Sequence, residues 1–288
     1  MYLNTLGKLE LYQSLVEITG ATELCIKEYI VENMDEIVDF HYDESSIYKL
    51  DLDKFLEYTE CNHLNLIDKI VVNHITPRKD INGIYTEGLL TLPHALTQDT
   101  VLADYLRGTG FTFEFVDDCV IMKKNGEKVN LNKLYFSNLH VRFGDKCSVK
   151  DYNVNGYLFV DEFEKNKVCG WLGSPEILKS IANAYNKRYI ADNYAEECNN
   201  YLVSFEVSTE NIDLEGFSDK ISIEYKTEIL VKYAIMALAY YEIKGKPFIP
   251  MYNPVIYLKR NYDVPGNKIC KIWDFKYKGN TIIPVEHS

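Results

Sequence analysis

The chain has 288 residues, 47% of them hydrophobic and 26% charged, with a net charge of −12, which describes a globular protein long enough for one sizeable core. The acidic balance and the shortness of the basic clusters, Lys123-Lys124 and Lys244 to Lys246, exclude a long basic stripe, so stable nucleic-acid binding is disfavoured and only a transient nucleic-acid substrate stays open. Seven scattered cysteines without C-x-x-C spacing read as reduced thiols, and no apolar run reaches membrane-spanning length or forms a secretion signal, which predicts a cytoplasmic protein with no membrane partner.

Residues 1–69 read as an N-terminal helical region. Leu6, Leu9, Leu11, Leu15, Val16 and Ile18 follow a roughly helical period, which Gly20 stops. Thr22 is placed to cap a second helix carrying Leu24, Ile26, Tyr29, Ile30, Met34, Ile37 and Val38. Ser45 or Ser46 opens a third segment through Leu50, Leu52, Phe55 and Leu56. The intervening acids, among them Glu32, Asp35, Glu36 and Asp39, read as a solvated face or as a partner-binding surface.

Ile70-Val71-Val72 then begins a strand. Alternation puts Val72, His74 and Thr76 on one face and Val71, Asn73 and Ile75 on the other. Pro77 is expected to bias Thr76 away from helix and stop the ladder, so that the strand ends within two residues of His74. Asp80 is placed to N-cap a short helix carrying Ile81, Ile84 and Tyr85, with Gly88 just past its end. A histidine and a threonine thus share one face at a strand end, beside a helix that returns the chain. The same histidine also reads as an ordinary strand residue with its hydrogen bonds satisfied locally.

A helix is predicted over 100–107, ended by Gly108-Thr109-Gly110. A strand, not a helix, follows these glycines, so they do not read as a phosphate loop. Residues 111–131 read as a β-hairpin insertion, with Asp117-Asp118 in its connecting turn and Asn125-Gly126 as a strong hairpin signal. Strands are predicted over 135–136, 139–143 and 155–160. Ser174-Pro175-Glu176 opens a helix to about Tyr185, with Ser174 as cap, and another helix follows around 189–198. Beyond it come a strand over 201–207, a short strand over 221–225, and a long helix over 228–243 capped by Thr227 and closed by Gly245. Three last strands, over 255–259, 269–273 and 281–285, complete the chain.

The chain has no G-x-G-x-x-G after a strand, no Walker loop, no G-x-S-x-G and no H-E-x-x-H. Its six histidines lack paired ligand spacing, so no metal is predicted. The order of elements carries more. Asn73-His74-Ile75-Thr76, then Ile81 to Leu89, then Asn155-Gly156-Tyr157-Leu158-Phe159, then a helix with Lys179-Ser180 and Tyr185, then the strands over 201–207 and 255–273, resembles the ADP-ribosyltransferase fold in its His-Tyr-Glu branch. That branch includes poly-ADP-ribose polymerases, tRNA 2′-phosphotransferases and DNA-targeting toxins. The resemblance covers roughly residues 65–275 on short motifs.

The resemblance implies an α+β protein: a mixed or antiparallel β core of that type over 70–288, preceded by the helical region 1–69. It implies NAD as substrate and a macromolecular acceptor. His74 and Thr76 would hold the ribose, Tyr157 and Tyr185 the nicotinamide rings, and Ser180 the carboxamide. Cleaving the nicotinamide–ribose bond passes through an oxocarbenium-like transition state, which a nearby carboxylate stabilises. The family's glutamate precedes the strand resembling 255–258, where this chain has Tyr252-Asn253-Pro254. Glu224 and Glu228 are the substitutes in reach, and Glu228 also reads as a capping acid. Tyr157 and Tyr185 also read as core aromatics. Arg142 reads either as a pyrophosphate ligand or as a partner of Asp145, and Trp171 as a pocket rim or a loop anchor. The implied activity is an NAD-dependent ADP-ribosyltransferase-like enzyme, of a kind used as toxins or in phage–host conflict. The alternative is a non-catalytic module that binds an NAD- or ADP-ribose-type nucleotide, or a protein.

Overall fold

The computed structural model describes residues 1–38, 47, 50–134, 138–143, 152–218, 220–247 and 253–287. Its first 69 residues give a two-residue strand β1 (Tyr2–Leu3) and helices α1 (Lys8–Thr19), α2 (Glu23–Glu32), α3 (Met34–Ile37) and α4 (Leu52–Tyr58). Gly20, with φ of 72°, ends α1, and the Thr22 side chain caps α2 by accepting from the Cys25 N–H. Asp51 caps α4 in the same way; Ser45 and Ser46 lie outside the described residues.

The middle of the chain runs through β2 (Lys69–Arg78), α5 (Ile81–Glu87), α6 (Leu92–Thr97), α7 (Val101–Gly108), β3 (Phe111–Val116), β4 (Cys119–Lys124), β5 (Glu127–Lys128), α8 (Asn138–Phe143) and β6 (Asn155–Tyr157). Then follow β7 (Phe163–Glu164), α9 (Lys165–Val168), α10 (Glu176–Ala184), α11 (Tyr189–Glu196), β8 (Asn199–Ser208), β9 (Ile212–Leu214), α12 (Ile223–Lys244), β10 (Val255–Leu258), β11 (Ile269–Lys278) and β12 (Thr281–Glu286). The architecture is α+β. Among the described residues, nine strands form one sheet in the order β7-β12-β11-β8-β2-β6-β10-β9, with β1 parallel to β2 and the other pairings antiparallel.

The long helix α12 lies between this sheet and the N-terminal helices. Both sides of it are covered, which is why buried residues run round almost its whole circumference, from Ile229 to Tyr240. Helices α1, α2 and α3 pack on α12, and Leu11, Leu15, Ile26 and Phe55 share one apolar core with Val72, Phe205 and Leu230. The strands β3, β4 and β5 form a separate meander. Its two turns, Asp117-Asp118 and Asn125-Gly126, have positive φ at both central residues, the geometry that matches strand twist. With α6, α7, α8, α10 and α11 the meander builds a second core around Leu106, Phe111, Met122, Tyr152 and Ile181.

Five local expectations are corrected. Residues 139–143 are helical, because Leu139 and Phe143, four apart, are both buried in the second core. The strand over 221–225 is the start of α12, which Ser222 caps; Thr227 lies inside the helix and its hydroxyl accepts from the Ile67 N–H at 3.1 Å. Ser174 does not cap α10: Pro175 holds the cap position, and no side chain caps the helix. The strand from Asn155 stops at Tyr157, after which Leu158 donates to the Pro254 carbonyl. Finally, β2 continues through Pro77 to Arg78, paired with Asn199. Beyond Asn73 the strand has β8 on one side and, among the described residues, no paired strand on the other, an edge on which a proline is tolerated. The expected strand over 135–136 lies outside the described residues.

Candidate functional site

That open side of β2 is where the chain builds a cleft. Among the described residues β6 pairs with β2 at Asn73 and Tyr157 alone. Gly156 permits this approach, since a Cβ there would meet the Asn73 carbonyl oxygen and Val72 Cγ1, each at 2.7 Å. The strands then part, and the gap widens into a cavity of about 200 Å³. Its floor is His74, Thr76 and Arg78 from β2 with Asn153 and Asn155. One wall comes from Leu92, Val101 and their neighbours in α6 and α7; the other comes from Arg142, the start of α10 and Trp171. The cleft thus lies between the sheet and the second core.

His74 Nδ1 lies 2.5 Å from the Asn155 carbonyl oxygen. A carbonyl only accepts, so Nδ1 carries the proton and Nε2 keeps its lone pair. Burial, with Arg78 as a lesser cause, pushes the imidazole pKa down to about 4, so the ring is neutral at physiological pH. Nε2 is therefore an acceptor suited to a ligand hydroxyl.

Arg78, one further step along the same face, donates from one terminal nitrogen to Thr76 Oγ1 at 2.6 Å and to the Pro77 carbonyl at 3.1 Å. Its Nε is buried without a partner, and it has no carboxylate partner among the described residues. Proteins rarely leave a guanidinium so placed unless something else meets it. By contrast Arg142, in α8, is paired with Glu176 at 2.7 Å, while Asp145 lies outside the described residues. Glu176 is the first residue of α10, and with Pro175 and Ile177 it lines the cleft. The backbone N–H groups of this uncapped helix start add positive potential there. Glu87, the other lining acid, has an oxygen that accepts from the Val101 N–H at 2.9 Å, at the start of α7.

Of the residues that the resemblance assigned to NAD, the cleft lining includes His74 and Thr76; Arg142 and Trp171, the two further candidates, line it as well. Tyr157 pairs across from Asn73, one position off His74, and its ring packs against Phe163 and Trp171 with centroids 5.1 and 6.3 Å away. Burial pushes its phenol up to about 12. Ser180 is buried, and its hydroxyl has no partner among the described residues. Tyr185 packs at a tilt against Phe111, with centroids 5.0 Å apart, under the Lys124 ammonium at 4.1 Å, on the meander side. Glu224 and Glu228 line a different groove, of about 680 Å³, between α12 and the segment around Asp51, Leu56 and His63. Glu224 is exposed, and the Ser222 hydroxyl and its own backbone N–H hold its carboxyl below the usual range.

Sequence reasoning missed Arg78, Asn153, Asn155 and Glu176 as members of the site. For Arg78 the signal was present: it continues the period-two face of His74 and Thr76. Among the described residues no group of three or more His, Cys, Asp and Glu side chains is arranged to hold a metal ion, and no helix is long and apolar enough to cross a membrane. No protein-family model, curated protein or solved structure matches the chain.

Proposed function

We propose that the His74 cleft binds a nucleotide of the NAD or ADP-ribose type, in keeping with the resemblance to ADP-ribosyltransferases. One observation carries this reading: a neutral imidazole with a free acceptor nitrogen shares the cleft with a guanidinium that lacks a carboxylate. His74 Nε2 accepts from a ribose hydroxyl. Arg78 meets a phosphate, which the N–H groups at the start of α10 also attract. At about 200 Å³ the cavity is smaller than the roughly 300–1,000 Å³ typical of ligand pockets. It accommodates one half of a dinucleotide and leaves the other half outside.

A second reading, transfer of ADP-ribose to an acceptor, is favoured by Glu176. Of the two carboxylates lining the cleft it is the one not bonded to a helix start, and Arg142 holds it in place. There it would offset the positive charge that develops as the nicotinamide–ribose bond breaks. A part in toxin action or phage–host conflict rests on the family resemblance alone.

Calorimetric titration with NAD and ADP-ribose, with nicotinamide release followed in parallel, separates these readings. Binding lost in His74→Ala supports the nucleotide site. Release by the wild type makes it a transferase or hydrolase, and binding without release makes it a nucleotide-binding module. Absence of any binding by the wild type removes both.

A further inference from the structure

We infer that Trp171 is the platform on which the base of the bound nucleotide stacks, and that Lys179 is the positioning residue that holds it at the cleft mouth. The inference rests on the nucleotide reading of the His74 cleft and names the part of the ligand that reading leaves unassigned.

The chain has two tryptophans, in opposite circumstances. Trp273 is half-buried, and its indole N–H donates to Ser204 Oγ at 2.8 Å. Trp171 lines the cleft with 42% of its surface exposed and no hydrogen-bond partner for its indole N–H among the described residues. Leaving so large an apolar surface in water is unfavourable. A mobile loop would fold such a ring away, and this loop cannot.

Its rigidity comes from Lys179, one turn into α10. The ammonium donates to the carbonyls of Cys169, Gly170 and Leu172 at 3.0, 2.8 and 2.9 Å, which uses all three of its protons. Three of four successive carbonyls thus converge on one cation. The loop is tied twice more, by Trp171 N–H to the Val168 carbonyl and by Gly173 N–H to Asn200 Oδ1 at 2.6 Å. The Tyr157 ring lies 6.3 Å from the indole at 68° to it, a contact that helps set the indole's tilt. A firmly held indole, 42% exposed, beside a hydroxyl acceptor and an anion-binding guanidinium matches the three parts of a nucleotide: base, sugar and phosphate.

The test compares adenosine monophosphate and nicotinamide mononucleotide with ribose 5-phosphate, which lacks a base. Calorimetry on the full chain is expected to show at least one mononucleotide binding more tightly than ribose 5-phosphate. Trp171→Ala should weaken that mononucleotide roughly ten- to a hundred-fold while leaving ribose 5-phosphate unchanged. Which mononucleotide responds identifies the base. In a Trp273→Phe background the same ligand should quench the remaining tryptophan emission, and ribose 5-phosphate should not. Lys179→Met in the same background should loosen the loop, seen as lower emission anisotropy of the unliganded protein, and should weaken the mononucleotide while leaving ribose 5-phosphate unchanged, a selectivity that a merely structural lysine would not produce. Equal mononucleotide affinity in wild type and Trp171→Ala overturns the platform while the nucleotide site stands. If the wild type binds neither the mononucleotides nor ribose 5-phosphate, the nucleotide reading falls and the platform with it.

Discussion

The Nδ1 of His74 and the carbonyl oxygen of Asn155 lie 2.5 Å apart across the gap where β2 and β6 have separated. This contact fixes the tautomer, and burial, which outweighs the contact's own pull toward the protonated ring, holds the imidazole neutral down to about pH 4. Ligand affinity that depends on Nε2 as acceptor is therefore expected to stay flat from about pH 8 to about pH 5 and to fall only near 4. A drop centred on the ordinary histidine value of 6.5 would refute the assignment. Stability follows the opposite logic of a depressed base. Between 6.5 and about 4 the unfolded chain takes up a proton that the folded chain refuses, so this residue lowers stability as pH falls through that window. Urea midpoints for wild type and His74→Gln across the range should diverge in that direction.

Arg78→Met separates a ligand-binding arginine from a structural one. The substitution removes two hydrogen bonds, to Thr76 Oγ1 and the Pro77 carbonyl, worth about 1–3 kcal/mol each when the donor is charged. It also relieves the cost of holding a guanidinium partly out of water with its Nε unmet, which is several kcal/mol for a fully buried ion. The two nearly cancel, so stability should stay within about 1 kcal/mol of wild type, while ADP-ribose affinity falls at least ten-fold and loses much of its salt dependence. Large destabilisation with affinity kept would mark Arg78 as architecture.

The contrast between Arg78 and the meander shows what the sequence could convey. Turns are local chemistry: Asp117-Asp118 and Asn125-Gly126 must take positive φ, and both hairpins formed where those pairs stand. The strand carrying His74 was equally legible, since Ile70, Val72 and Thr76 alternate with the opposite face. Its end was not, because Pro77 breaks a ladder only where its missing N–H would have been used, and that depends on a neighbour strand far away in sequence. The short apolar stretch 139–143 is ambiguous for the same reason: burial of Leu139 and Phe143 together is a property of the second core. Glu176 was visible as an early helical acid, yet only packing of α10 across the gap puts it in the cleft.

The acids give the next prediction. Glu224→Gln and Glu228→Gln should leave nucleotide affinity unchanged, because both side chains line the groove beside Asp51 and Leu56 and not the His74 cleft. If nicotinamide is released at all, Glu176→Gln should lower the rate about 100-fold or more, the scale on which a single transition-state contact acts, with affinity for ADP-ribose changed far less. Release that survives Glu176→Gln but not Glu224→Gln would return the catalytic acid to α12.

Gly156→Ala tests the geometry that opens the cleft. The added Cβ would sit 2.7 Å from both the Asn73 carbonyl oxygen and Val72 Cγ1. Neither neighbour yields readily: Val72 is fully buried and Asn73 is held in the sheet, with its side-chain amide bonded to the Tyr157 and Leu158 carbonyls at 3.2 Å each. β6 must therefore move away from β2, at a cost of about 1–3 kcal/mol. Asn155 moves with it and carries off the carbonyl that fixes His74. Affinity for ADP-ribose should fall together with stability. Gly108→Ala, where a Cβ meets nothing within 4 Å, should leave affinity untouched and stability equal or slightly higher. Thermal melts and calorimetry on the two variants decide the matter. If Gly156→Ala melts and binds like wild type, close pairing of β6 with β2 does not set the site.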